Sequence, residues 1–163
     1  MSEHAGKVSH QRAIDVVRGY AHHDAIAVRD ALAGLSPDGW TEVYSVLNGL
    51  LRSTIGITEL TGRQWNPGRF VRLADEVAAA APLHLEFAIA EATRAWAGGG
   101  GWALRAFSGG DLSEAVHMTA VFIAVLGLAL WGESGFLQVV ETLDESVTAV
   151  MNGRPFGIPD SRP

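Results

Sequence analysis

The chain contains no cysteine. That excludes a disulfide framework, a thiolate metal site and a cysteine nucleophile. Lysine is nearly missing as well: Lys7 is the only one among 12 basic residues, and arginine supplies the rest. Charged residues of all kinds amount to 18%, and their balance is acidic, with a net charge of −6. A nucleic-acid binder carries a basic face, so this balance argues against a nucleic-acid partner. Period-2 alternation of any length is missing too, which leaves no candidate sheet. The opening residues, Met1-Ser2-Glu3-His4-Ala5-Gly6-Lys7, lack an apolar signal core, and the expected location is cytoplasmic. Together with heavy Ala, Gly and Arg usage, the scarcity of Lys is what a GC-rich bacterial genome produces.

What is present is helical. Hydrophobic residues make up 48% of the 163 positions, enough for one domain with a substantial core. Ser9 is a candidate cap for a first helix carrying Ile14, Val17, Tyr20 and Ala21. Asp24 is a candidate cap for a second, with Val28, Ala31, Leu32 and Leu35 on one face. Ser36-Pro37-Asp38 is a strong start signal, because Ser accepts from free amides and Pro needs no donor in the first turn. Trp40, Val43, Tyr44, Leu47, Leu50 and Leu51 then recur at helical spacing. Residues 56–66 read as irregular. Asn66-Pro67 restarts a helix with Phe70, Leu73, Ala74 and Val77 inward, and Pro82 interrupts it. A helix over 82–97 ends at Gly98-Gly99-Gly100-Gly101, a flexible joint. Asp111 opens a helix that runs to Trp131 and is apolar on every side; Glu133-Ser134-Gly135 breaks it, and a last helix carries Phe136, Val139, Val140 and Leu143. The expected fold is an all-α single domain, a bundle of seven or eight helices with loose tails at 1–8 and 153–163.

The chain also reads as two diverged copies, 9–56 and 100–152. Val17-Arg18-Gly19-Tyr20-Ala21-His22-His23-Asp24 resembles Leu104-Arg105-Ala106-Phe107-Ser108-Gly109-Gly110-Asp111 at a constant offset of 87 residues. Aromatic-led stripes follow each, from Trp40 and from Phe136.

Candidate chemistry is sparse. His22-His23-Asp24 pairs two imidazoles with a carboxylate, but adjacent residues on a helix diverge by about 100°, and a turn capped by Asp24 is the simpler expectation. Glu114 and His117 have the Glu-x-x-His spacing of carboxylate-bridged metal bundles, without the partner pair such a site needs; a His117 satisfied inside the core competes with it. The glycine run lacks the Lys-Ser or Lys-Thr of a phosphate loop, and no Gly-x-Ser-x-Gly elbow occurs. Arg63, Trp65, Asn66, Arg69 and Arg72 gather positive charge at a helix start, where an anion or ligand is favoured. Ser113, Ala120, Ala124 and Gly127 form a small-residue strip that admits close helix packing. The apolar stretch 115–131 spans 17 residues, short for a membrane crossing, and is flanked by Asp111, Glu114 and Glu133; no membrane span is expected.

No catalytic constellation emerges, and no cofactor is expected. The leading expectation is a non-enzymatic helical interaction or accessory protein, with a homodimer or another protein as partner. Residues 82–97 carry two apolar strips, Leu85, Ile89, Ala92 and Trp96 on one and Leu83, Phe87 and Ala90 on the other, and Phe87 and Trp96 are the expected interface anchors. The alternative is a helical pocket for a small apolar or anionic ligand, lined by Trp96, Trp102 and Phe107. A metal-dependent enzyme built on Glu114 and His117 is the remaining reading.

Overall fold

A computed structural model of the chain describes residues 2–62, 66–98 and 111–151. These residues form six helices and no strand: α1 (Ser2–Ala21), α2 (Ala25–Leu32), α3 (Pro37–Thr61), α4 (Pro67–Ala78), α5 (Leu83–Ala97) and α6 (Leu112–Met151). The described residues form the expected all-α bundle, with six helices among them against the seven or eight expected for the chain. Arg63, Trp65, the glycine joint beyond Gly98, Trp102, Arg105, Phe107 and most of the second octet lie outside the described residues.

Local chemistry starts the helices where the capping residues stand. The Asp24 carboxylate accepts from the Ile26 and Ala27 amides, Ser36 Oγ from Gly39, and Asn66 Oδ1 from Gly68 and Arg69. Each satisfies backbone donors that have no partner within the helix. Pro82 fixes the corner between α4 and α5.

Several boundaries differ from expectation; α2, for one, ends at Leu32 and leaves Leu35 outside the helix. Helix α1 begins at Ser2 rather than at Ser9. No proline obstructs the first eight residues, and the Ser9 hydroxyl, buried in mid-helix, donates instead to the Glu42 carboxylate on α3. Helix α3 runs on through 56–61 instead of fraying. The hydroxyls of Thr54, Thr58 and Thr61 each donate to the carbonyl four residues back, so these β-branched residues are accommodated within the turn. The helix stops at Gly62, whose φ of 60° is the left-handed conformation a C-terminal cap requires.

Helix α6 is the axis of the molecule, in contact with α1, α3, α4 and α5. Every residue from Val116 to Leu128 is buried. It is long and apolar enough to cross a membrane by length and composition, and 78% of its most apolar window is buried inside the fold. The first arm ends at Gly132, where φ 71° and ψ 177° break the helical path one residue before the expected Glu133-Ser134-Gly135. The break lets the second arm turn back, so that Phe136 packs over Gly127. Part of the small-residue strip therefore serves a contact within α6 itself. The Phe136 ring is 2% exposed and lies parallel to Trp131, centroids 6.3 Å apart. The remaining core comes from the inward stripes: Ile14, Val17, Tyr20 and Ala21 of α1, Val43, Leu47 and Leu51 of α3, and Phe70, Ala74 and Val77 of α4.

Candidate functional site

Four parts of the fold converge on one pocket of about 500 Å³. Helix α2 supplies Ala25, Val28, Arg29 and Leu32, and α3 supplies Trp40. The α4–α5 corner supplies Ala80, Ala81, Pro82 and Leu83, and α6 closes the floor with His117. The walls are predominantly apolar. Arg29 stands at the rim, three-quarters exposed, beside Asp30 at 3.7 Å. The volume lies within the range of small-molecule sites, which are apolar cavities with a few fixed polar groups.

The fixed polar group here is His117. Its residue is 5% exposed, and its Nδ1 lies 2.6 Å from the Tyr20 hydroxyl of α1. The two rings meet edge-on, centroids 6.1 Å apart. Burial lowers the imidazole pKa to about 4, and the nearby His84 adds to the effect. His117 is therefore neutral at pH 7. Burial also pushes the Tyr20 hydroxyl well above its ordinary value, so it keeps its proton. That gives a neutral Tyr–His pair behind an apolar cavity.

A second buried histidine lies away from the pocket. His10 Nε2 on α1 has no hydrogen-bond partner among the described residues and sits 3.6 Å from Asp144 Oδ1 on the second arm of α6. Arg18 approaches the same carboxylate at 4.0 Å and Asp15 at 3.3 Å. Burial lowers the His10 pKa, and Asp144 opposes the shift. This cluster ties α1 to the second arm of α6.

The residues singled out from sequence separate in space. Asn66 is spent on capping α4, and Arg69 and Arg72 point to solvent without an ion pair among the described residues. Asp75 is paired with Arg94 of α5 at 3.3 Å, not with the arginines of its own helix. Trp96 packs on Phe70 (4.8 Å) and Phe122 (5.6 Å), which ties it to the core rather than leaving it free as a surface anchor. Phe87 is 71% exposed, as the outward strip requires. His22 faces Glu133 at 3.8 Å on the surface, and His23 takes a left-handed φ of 55° in the turn that Asp24 closes. No three His, Asp or Glu side chains converge on a metal-binding geometry among the described residues, Glu114 and His117 included.

Sequence reasoning placed His117 in the core but missed the pocket. Its one sequence signal is a histidine inside an all-apolar helix; the Tyr20 partner lies 97 positions away. Compared with family models, curated proteins and solved structures, the chain matches none.

Proposed function

We propose that this chain is a non-enzymatic helical binding protein for a small, largely apolar molecule, held between α2, Trp40, the α4–α5 corner and His117. One observation carries the reading: a single neutral imidazole, fixed by Tyr20, lies at the floor of a cavity that is apolar apart from Arg29 at its rim. Small-molecule sites combine apolar walls with a few fixed polar groups that orient the guest, and His117 is such a group. Trp96 does not line this pocket, and Trp102 and Phe107, the other residues expected around a ligand, lie outside the described residues. The test is calorimetric titration with 2-nonanone, a probe of suitable size, alongside thermal melting. Binding only to the native state raises stability, by about 2.7 kcal/mol at a hundredfold excess over Kd. Ala25→Trp, at an exposed rim position, plugs the mouth and abolishes the heat of binding while the fold melts normally. Equal binding to this variant would place the probe elsewhere.

A second reading, self-association, draws on the outward strip of α5. Leu83 is 88% and Phe87 71% exposed, while Leu85, Ile89 and Ala92 on the opposite strip are buried. Leu83 also lines the pocket, so a two-fold pairing on this strip would sit across its mouth. Sedimentation at micromolar concentration distinguishes a dimer from a monomer, and Leu83→Ser with Phe87→Ser removes the dimer without unfolding the protomer. A monomeric wild-type mass ends this reading. The duplicated origin of 9–56 and 100–152 belongs here too: in support, Asp24 and Asp111 both precede a helix and both face its free amides, Asp111 at 3.5 Å from the Ser113 amide.

A further inference from the structure

The pocket's chemistry can be narrowed by asking which ring nitrogen of His117 carries the proton. Resting on the ligand-binding reading above, we propose that the site selects a neutral molecule with an apolar body and one hydrogen-bond acceptor, of the carbonyl class, which receives a hydrogen bond from His117 Nε2–H.

The assignment follows from counting donors. Tyr20 is 0% exposed, and its hydroxyl has one proton. Its partner among the described residues is His117 Nδ1 at 2.6 Å. Suppose the imidazole carried its proton on Nδ1 and donated to Tyr20. The phenolic O–H would then point into the core with nothing among the described residues to accept it, and a buried unmet donor is destabilising. The reverse arrangement leaves no such debt: Tyr20 donates, Nδ1 accepts, and the proton of the neutral ring resides on Nε2. Since His117 lines the pocket and Nδ1 is occupied, Nε2–H is the ring donor left for a guest.

That donor excludes two charged ligand classes. An ammonium group has only protons to offer and meets another proton. A carboxylate finds a neutral N–H but no buried counter-charge, because Arg29 stays at the solvent rim next to Asp30; burying it there costs more than one neutral hydrogen bond returns. A ketone, ester, aldehyde or tertiary amide needs one donor and brings no charge. Val28, Leu32 and Trp40 then cover its hydrocarbon part.

The experiment has two arms. The first records ¹⁵N shifts of the His117 ring in the full chain at pH 7, which report the tautomer without any ligand. The Nε2–H form is expected; the Nδ1–H form would overturn the assignment while leaving the pocket reading intact. The second compares 2-nonanone with 2-methyl-1-nonene, its shape-matched alkene, and with nonanoate, by calorimetry on wild type and on the double variant Tyr20→Phe/His117→Leu. Removing both partners together avoids stranding either one. The ketone-to-alkene affinity ratio is expected to fall about tenfold in the double variant, the equivalent of one neutral hydrogen bond. Nonanoate is expected to bind weakest to wild type. An unchanged ratio, or nonanoate binding tighter than the ketone, refutes the acceptor class although the cavity still takes hydrocarbon. Binding of neither ketone nor alkene refutes the ligand-binding reading and this inference with it.

Discussion

Gly127→Ala sets two physical effects against each other and the structure decides the sign. Helix propensity alone favours the change by about 1 kcal/mol, because alanine loses less backbone freedom than glycine. Packing opposes it. A Cβ at position 127 falls inside the van der Waals envelope of the Phe136 ring, including the ring carbon nearest the backbone. That atom cannot swing aside as the tip of a flexible side chain does, so the ring must vacate its site against Trp131. Losing the burial of a Phe side chain costs about 3–5 kcal/mol. Offset by propensity, the net cost is about 2–4 kcal/mol. At roughly 2–4 °C per kcal/mol for a chain of this size, Tm falls by roughly 4–16 °C. Urea denaturation and scanning calorimetry measure it. Gly49→Ala is the internal control: it lies within α3 with no neighbour within 4 Å of the new methyl, and should be neutral or gain up to about 1 kcal/mol. In a Phe136→Ala background, Gly127→Ala should lose its penalty, and the double-mutant cycle gives the coupling directly. If Gly127→Ala is as stable as wild type, the second arm of α6 does not fold back over Gly127.

Two further outcomes follow from burial. The His117 pKa drops from 6.5 to about 4 on folding, so between those values the unfolded chain binds the extra proton; stability is fully present above about pH 6.5 and declines as pH falls toward 4, by up to about 1.4 kcal/mol per unit. His10, also lowered, adds in the same direction, so urea titrations of Tyr20→Phe/His117→Leu should keep only a residual slope, and an undiminished slope would contradict a neutral His117. Leu47→Ala, at a fully buried position, should cost about 2–5 kcal/mol, and Leu143→Ala, at a half-buried one on the second arm of α6, distinctly less; equal losses in chemical denaturation would count against the packing described.

The parts of the fold that were legible in the sequence are those set by neighbours along the chain. Asp24, Ser36-Pro37 and Asn66-Pro67 start helices through contacts two or three residues away, and periodic apolar residues fall inward wherever a helix forms. What escaped depends on partners far off in sequence. Ser9 has the chemistry of a cap and is used instead to hold Glu42 across the bundle. Threonines near 58 look like a loop until their hydroxyls are seen closing back on the helix. Trp96 has the profile of an interface anchor, yet Phe70 and Phe122 claim it. The pocket exists only after α2, α3, the α4–α5 corner and α6 meet, so no local window contains its signal. His117 was visible as an oddity in an apolar helix; its tautomer was not, because that is decided by Tyr20.

The position of α6 at the centre of the bundle has a consequence for biosynthesis. Helices α1, α3, α4 and α5 all rest on a segment that begins at Leu112 and is translated after them. Until that segment leaves the ribosome, the earlier helices can pair with one another, α1 with α2 and α3, and α4 with α5, but lack the central surface that all but α2 rest on. The nascent chain therefore displays sticky, half-assembled amphipathic helices for much of its synthesis. Non-local closure of this kind slows folding and leaves such intermediates open to aggregation.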